Sequence, residues 1–364
     1  MRRPLILNAR SRIDPASIEK ILLIRLRRIG DVVMTTPSVR ALRERFPDAE
    51  IAYLVEEPYR ELVEQNPDLD EVIVFPRRLP VAEFRRRLKP IRDKRYDLLI
   101  DFHGGPRALW VSIFSRARIK IGHRLKYKHV FYHITLPRTL DTGPVHSVEN
   151  HFSLARAAGV EMGEIPAVWM PPASPEEGAR IESLFRQNDW GERRIIVLHI
   201  GAGNRFRDWG LDNLRCLISK LRNVPETVTI LIGGPEDSVR AQALLPAPET
   251  SVFSCVGRLN LREVREIISR AAVFLGPDSG PMHIAATTDT PIVAYFGPTL
   301  PAHFAPWRAE AMRLEKPFAC RPCRQRKCTF KDFRCLLTIS PEEVFKAVLH
   351  TARLPASFNT PTRS

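Results

Sequence analysis

Lys20-Ile21-Leu22-Leu23-Ile24-Arg25-Leu26 runs directly into Arg27-Arg28-Ile29-Gly30-Asp31, and a helical segment follows over 32–46. A short, continuous apolar run, closed by a glycine turn and followed by a helix, is how a buried parallel strand opens a doubly wound α/β layer. Working outward, the runs 51–55, 71–75 and 97–102 read as further strands, with helical stretches between them that include the strongly basic 81–94. The rhythm restarts after the proline-rich stretch 166–175, with strands at 195–200, 228–232, 273–276 and 291–296. Two Rossmann-like domains joined near 166–176 are therefore expected. Between 120 and 138 the pattern does not separate strand from loop.

The chain has 364 residues, of which 44% are hydrophobic and 27% charged. Those fractions exclude a disordered chain, a collagen-like one and a small disulfide scaffold. Lys and Arg number 56 against 41 Asp and Glu, a net charge of +15. The excess is local: residues 77–138 hold 17 basic and 4 acidic side chains. Such a field favours an anionic partner, whether nucleic acid, a phosphorylated substrate or an anionic membrane surface. No run approaches the ~20 apolar residues of a membrane-crossing helix, and the first residues make a poor signal peptide. The expected protein is soluble and cytoplasmic, at most resting on a membrane.

Four glycine turns stand at strand ends, where open α/β sheets bind ligands. In the first, Gly30 allows a tight turn and Asp31 falls near the helix start, where capping the helix is the simplest job for an aspartate. Its pattern is not the G-x-G-x-x-G of a nicotinamide site. In the second domain, His199-Ile200-Gly201-Ala202-Gly203 permits close backbone approach to a ligand, with Arg205 and Arg207 following to meet negative charge. Gly233-Gly234-Pro235-Glu236-Asp237 places a carboxylate that could bind ribose hydroxyls or cap the next helix. In the fourth, Gly276-Pro277-Asp278-Ser279-Gly280-Pro281-Met282-His283 ends a strand and starts a helix, so unpaired N–H groups meet the positive end of the helix dipole, a place for a diphosphate. Asp278 and Ser279 could equally cap, and His283 could pack. Thr299, in Gly297-Pro298-Thr299, ends the next strand and could close over the same ligand.

Cys216 and Cys255 lie alone in apolar contexts. Cys320, Cys323, Cys328 and Cys335 fall within sixteen residues. Four thiolates at that density could surround a structural zinc or an iron–sulfur cluster, or remain reduced thiols in a basic loop. The cluster is read as lying outside the catalytic segments.

Taken in order, ILLIRLRRIGDVVMTTPSVRALRERFP, HSVENHFSLARAAGV, the turn ending Arg207-Asp208-Trp209, GGPED and GPDSGPMHIAATTDTPIVAYFGPT resemble the ADP-heptose:lipopolysaccharide heptosyltransferases of glycosyltransferase family 9, from about residue 20 to 348. The resemblance implies a GT-B fold, two Rossmann-like α/β domains with parallel sheets facing across an interdomain cleft. The boundaries it suggests are an N-terminal extension over 1–19, an acceptor domain over 20–170 and a donor domain over 171–340 carrying the Cys-rich loop 320–335. A helix over 341–354 would return toward the first domain, with a tail over 355–364. It implies Asp31 as general base of an inverting transfer, with Gly30 and Arg107 on the acceptor side. Donor contacts would come from Gly201, Gly203, Arg207, Gly234, Glu236, Asp278, Ser279, Gly280, His283 and Thr299. Arg207 stands where the family usually has lysine, which exchanges a point charge for a fork. The implied partners are an ADP-heptose donor and a phosphorylated lipid A–Kdo acceptor at the inner face of the inner membrane, with no cofactor required for the chemistry and a monomeric enzyme. Other readings are a family member with another nucleotide-sugar or glycan acceptor, and a basic, zinc-containing nucleic-acid-binding protein. The cysteine spacing matches no standard finger, and aromatic residues are not interleaved with the basic runs.

Overall fold

In the computed structural model, twelve strands among the described residues form two six-stranded sheets, and every adjacent pair runs parallel. The structure describes residues 13–125, 129–138, 143–161, 163–247 and 249–354. Most of the expected N-terminal extension and the tail from 355 lie outside the described residues. The chain divides between Pro171 and Pro172 into two units, inside the proline-rich stretch.

In the first unit the elements run β1 (Lys20–Ile24), α1 (Ile29–Val33), α2 (Thr36–Arg45), β2 (Glu50–Glu56), β3 (Glu71–Phe75), α3 (Val81–Asp93), β4 (Leu98–Asp101), α4 (Pro106–Phe114), β5 (Ile119–His123), β6 (Ile134–Leu136) and α5 (Ser147–Ala157). The helix expected over 32–46 is two helices. Pro37 has no N–H to continue the ladder, and the hydroxyl of Thr36 donates instead to the Val33 carbonyl at 2.8 Å, while Thr35 donates to Val32 at 2.7 Å. The sheet order is β3-β2-β1-β4-β5-β6. Leu22, Ile24, Leu54 and Leu99 bury one face of it against Leu88 and Ile91 of α3 and Val111 of α4.

The second unit runs α6 (Pro175–Gln187), β7 (Arg194–His199), α7 (Leu211–Leu221), β8 (Thr227–Ile232), α8 (Ser238–Leu244), β9 (Val252–Ser254), α9 (Leu261–Ser269), β10 (Val273–Pro277), α10 (Gly280–Ala285), β11 (Ile292–Phe296), α11 (Pro301–Phe304), β12 (Ala311–Glu315), α12 (Arg334–Leu337) and α13 (Pro341–Thr351). Its order, β9-β8-β7-β10-β11-β12, repeats that of the first sheet strand for strand. Both are the 3-2-1-4-5-6 arrangement, in which the strand order reverses between the first and fourth strands and opens a crevice at their carboxyl ends.

Ser340-Pro341-Glu342-Glu343 starts α13 with a capping box and a proline in the first turn. Its apolar face, Val344, Phe345, Ala347, Val348 and Leu349, joins Leu214, Leu217 and Trp209 in the core of the second unit. The face it buries is matched by α7 and by the second sheet. The Trp209 indole completes the attachment, donating to the Ile339 carbonyl at 2.8 Å.

Candidate active site

In each unit the chemistry-bearing residues gather at the crevice between first and fourth strands. In the first unit, Arg25 follows β1 and is 5% exposed. Its Nη1 donates to the Phe102 carbonyl beyond β4 at 2.7 Å, and its Nη2 meets the Asp31 carboxylate at 2.5 Å. Asp31 is therefore held by an arginine that spans the crevice. It does not cap α1, whose N-cap is Arg28 with no side-chain cap bond. The tight turn is also made differently from the expectation: Arg28 takes the left-handed conformation at φ 73°, and Gly30 lies buried inside the helix. A non-glycine residue there costs about 1–3 kcal/mol, held by the surrounding structure.

Across the crevice, the buried Asp101 accepts from the Tyr132 hydroxyl at 2.5 Å and from the amides of His103 and Gly104 at 2.8 and 2.9 Å. Burial raises its pKa against those bonds. The turn so fixed presents His103, whose pKa burial, followed by the nearby Arg25 and Arg27 charges, pushes down to about 3. It is a neutral imidazole at physiological pH.

Arg27 and His103 line a pocket of about 770 Å³. Arg77, Arg78, Arg85 and Arg107 add positive charge to it, and Leu79, Phe84, Leu88 and Trp110 make its apolar wall. Arg107 lies in this wall, braced on the Glu56 carboxylate (2.8 Å) and on the carbonyls of Pro76 (3.0 Å) and Arg77 (3.1 Å). Glu56, buried at the end of β2, was not singled out from the sequence. Its second oxygen has no hydrogen-bond partner among the described residues. The available signal was a carboxylate closing an otherwise apolar strand.

In the second unit, Arg207 and Asp278 come together from segments 71 residues apart. Nη1 of Arg207 donates to the Asp278 carbonyl at 2.9 Å and lies 3.3 Å from its carboxylate, which also accepts from Thr299 at 2.5 Å. Ser279 is the N-cap of α10 but makes no capping bond; its hydroxyl pairs with Nδ1 of His199 at 3.0 Å. Burial pushes the His199 pKa down to about 4, so this ring too is neutral. Gly280 begins α10, and His283 is buried on it. With six residues, α10 supplies little dipole, and Arg207 brings positive charge to this strand end.

The glycines divide their work. Gly203 takes a left-handed φ of 66°. A Cβ on Gly201 would lie 2.9 Å from Cγ of Asp237 and closer still to its carboxylate, so what approaches Gly201 is a side chain of the protein. That carboxylate accepts from the Gly234 amide at 3.0 Å and starts the turn 235–237, which leaves Glu236 exposed beside it.

The structure gives the zinc expectation for the cysteines no support. Among the described residues no group of three or more His, Cys, Asp or Glu side chains could hold a metal ion, and all six cysteines are free. Cys335 packs against the apolar core, and burial, with its neighbouring cysteines, pushes the pKa of its thiol up to about 11. The loop itself does not stand apart from the site. Arg321, 4% exposed in its side chain, donates to the Gly297 carbonyl and, at 2.7 Å, to the Thr299 carbonyl. Gln325 accepts from Arg207 at 3.2 Å and from Asn204 at 3.0 Å.

The family model for glycosyltransferase family 9 (heptosyltransferase) matches residues 84–334. Lipopolysaccharide heptosyltransferase 3 of Escherichia coli is 24% identical over 290 residues, covering 76% of this chain and 83% of the relative. Among solved structures, the family 9 glycosyl transferase of Veillonella parvula superposes with a TM-score of 0.81 at 22% identity, covering 94% of this chain and 98% of that one. E. coli heptosyltransferase WaaC, solved with ADP-2-deoxy-2-fluoro heptose, gives a TM-score of 0.66 at 19% identity, covering 91% and 99%.

Proposed function

The chain belongs to glycosyltransferase family 9, and from that premise we propose that it transfers a heptose from ADP-L-glycero-D-manno-heptose to the lipopolysaccharide inner core, on Kdo-lipid A or heptosyl-Kdo-lipid A, with inversion at the sugar carbon. The observation that carries this reading is the convergence of Arg207, Asp278, Ser279 and Thr299 at one strand-end crevice of the second unit. A nucleotide-sugar donor needs such a site: a fixed cation for the departing diphosphate beside hydroxyl and amide donors.

Transfer passes through an oxocarbenium-like state, so the enzyme must deprotonate the incoming hydroxyl and stabilise the leaving ADP. In this proposal Asp31 takes the proton, held in orientation by Arg25, once the acceptor hydroxyl comes within about 2.6–3.2 Å. The neutral His103 is available as a hydrogen-bond partner and is too acidic in its protonated form to serve as the base. Arg207 meets the charge developing on ADP, which is preorganised electrostatic stabilisation, and the chemistry is read as needing no cofactor. Glu236, exposed beyond the Gly234 turn, would take the ribose hydroxyls, with Gly201, Gly203, Gly280 and His283 shaping the donor site. The arginine-lined pocket of the first unit, with Arg107 in its wall, suits a phosphorylated acceptor, and Gly30 would serve it from α1, three residues on from Arg27. The enzyme would act as a monomer on the cytoplasmic face of the inner membrane.

The test is ADP release from ADP-heptose, with and without Kdo-lipid A, for the wild type and Asp31→Asn. Acceptor-dependent release that falls about 10²–10⁴-fold in the mutant, with ADP affinity kept, is expected for loss of a general base. Undiminished turnover in the mutant would remove Asp31 from that role. No release by the wild type across truncated core acceptors would point to another nucleotide-sugar.

A further inference from the structure

Five large apolar side chains stand exposed on the first unit: Val81 (70%), Val130 (58%), Trp110 (52%), Phe114 (44%) and Phe131 (43%). They belong to neighbouring elements, since α4 packs beside both α3 and the turn 129–131. Val81, Trp110 and Phe114 share the wall of the 770 Å³ pocket. The rings of Trp110 and Phe114 stack at 5.7 Å with a 24° interplanar angle, so part of the patch is preformed. The surrounding exposed residues include Arg77, Arg78, Arg85, Arg86, Lys89 and Arg116. Along α3 the acidic groups are Glu83, half-buried between Arg86 and Arg87, and Asp93 at its end.

An aromatic pair in water, ringed by guanidinium groups, matches a surface that is apolar at depth and anionic at its face. Trp and Phe favour the headgroup–acyl boundary, and long basic side chains keep their charge among phosphates while their stems lie along the apolar layer. We propose that this face seats the protein on an anionic lipid bilayer, the five apolar side chains entering the boundary and the α3 cations lying on the headgroups. The proposal rests on the reading of the acceptor as a phosphorylated glycolipid, because the pocket opens on this same rim and would receive the sugar of a lipid still anchored in the membrane.

Flotation with vesicles of phosphatidylcholine, alone or with phosphatidylglycerol, tests it. The wild type should float with the anionic vesicles and be released by high salt. Val130→Ser/Phe131→Ser should weaken partitioning about tenfold or more. Arg86→Glu/Lys89→Glu should weaken it by a similar factor on anionic vesicles, about fivefold per neutralised charge at the least. None of these four residues lines the pocket or the donor crevice, so ADP affinity by calorimetry should not change, which also verifies folding. Turnover on acceptor dispersed in detergent should survive both double substitutions and fall only when acceptor is presented in vesicles. A wild type that floats with anionic vesicles but transfers no heptose would sink the sugar-transfer reading and leave the bilayer proposal standing. A wild type that stays unbound, or variants that bind undiminished, would overturn the proposal. So would a concentration-dependent dimer that Phe131→Ser abolishes, since a second copy would then own the patch.

Discussion

Replacing Arg207 by alanine and by lysine separates its charge from its shape. The guanidinium makes a 2.9 Å bond to the Asp278 carbonyl, lies 3.3 Å from the Asp278 carboxylate and donates through Nε to Gln325 at 3.2 Å. Alanine removes all of these together with the cation at the leaving group. Loss of one preorganised donor to a developing anion costs about 2.7–4 kcal/mol, or about 10²–10³ in kcat. Lysine keeps a positive charge near Asp278 but has no second arm for Gln325. With one hydrogen bond lost at a partly exposed site, the cost is about 1 kcal/mol, or about fivefold. Steady-state ADP release at saturating donor gives kcat, and calorimetry with ADP gives the ground-state affinity. The expected order is wild type, then lysine, then alanine, with kcat falling further than ADP affinity because the charge being met is larger in the transition state. An alanine variant within about threefold of wild type, or a lysine variant as impaired as alanine, would refute the role of Arg207 as the fork that meets the leaving group.

Three other outcomes follow from the same geometry. Gly201→Ala should displace the Asp237 carboxylate from the Gly234 amide at a cost of about 1–2 kcal/mol in urea unfolding, and adding Asp237→Ala should make the two changes less than additive; full additivity would mean that the crowding at Gly201 is not felt. Gln325→Ala removes the partner of Arg207 and Asn204 and should raise the donor KM about threefold to tenfold with a smaller change in kcat, whereas an unchanged KM would detach the Cys-rich loop from donor binding. Stability should fall as pH drops below about 6.5, because the unfolded chain protonates its histidines there while His199 and His123 stay neutral down to about 4. Their contribution is complete above 6.5, and the His199 share lost between pH 7 and pH 5 is about 2 kcal/mol. The urea midpoint of His199→Gln should vary less steeply across that interval, and an unaltered slope would dismiss His199 as its source.

The strands that the sequence makes legible are mostly those buried on both faces, whose apolar runs are continuous: β1, β2, β4, β7, β8, β10 and β11, with the less buried β3 beside them. The strands that escape it are short or marginal. β6 and β9 have three residues each, and β12 is an edge strand that packs only Met312 and Leu314 inward. Their strand character comes from a neighbour already in place, which local pattern does not contain. The site divides in a similar way. Asp31, Asp278 and Thr299 stand next to recognisable strand ends, so topology alone brings them to a crevice. Arg25, Glu56, His199 and Gln325 matter through a partner far along the chain: Arg25 through Phe102, Gln325 through Arg207. His199 and Glu56 share one readable trait, a polar side chain at the last position of a buried strand. The cysteines differ again: their close spacing in sequence yields no metal-holding group among the described residues.

The placement of α13 has a consequence for how the polypeptide is made. All six strands of the first sheet and the helices over them lie before residue 158, so that unit can close while the ribosome is still translating the second. The second unit has no such early completion, because Trp209 and Leu214 wait for Val344 to Leu349 to cover them. A message cut short before codon 340 would release a finished first half tethered to an exposed apolar core. Such a product invites aggregation or proteolysis, so premature stops shortly before codon 340 should behave as null alleles, without leaving a partly active enzyme.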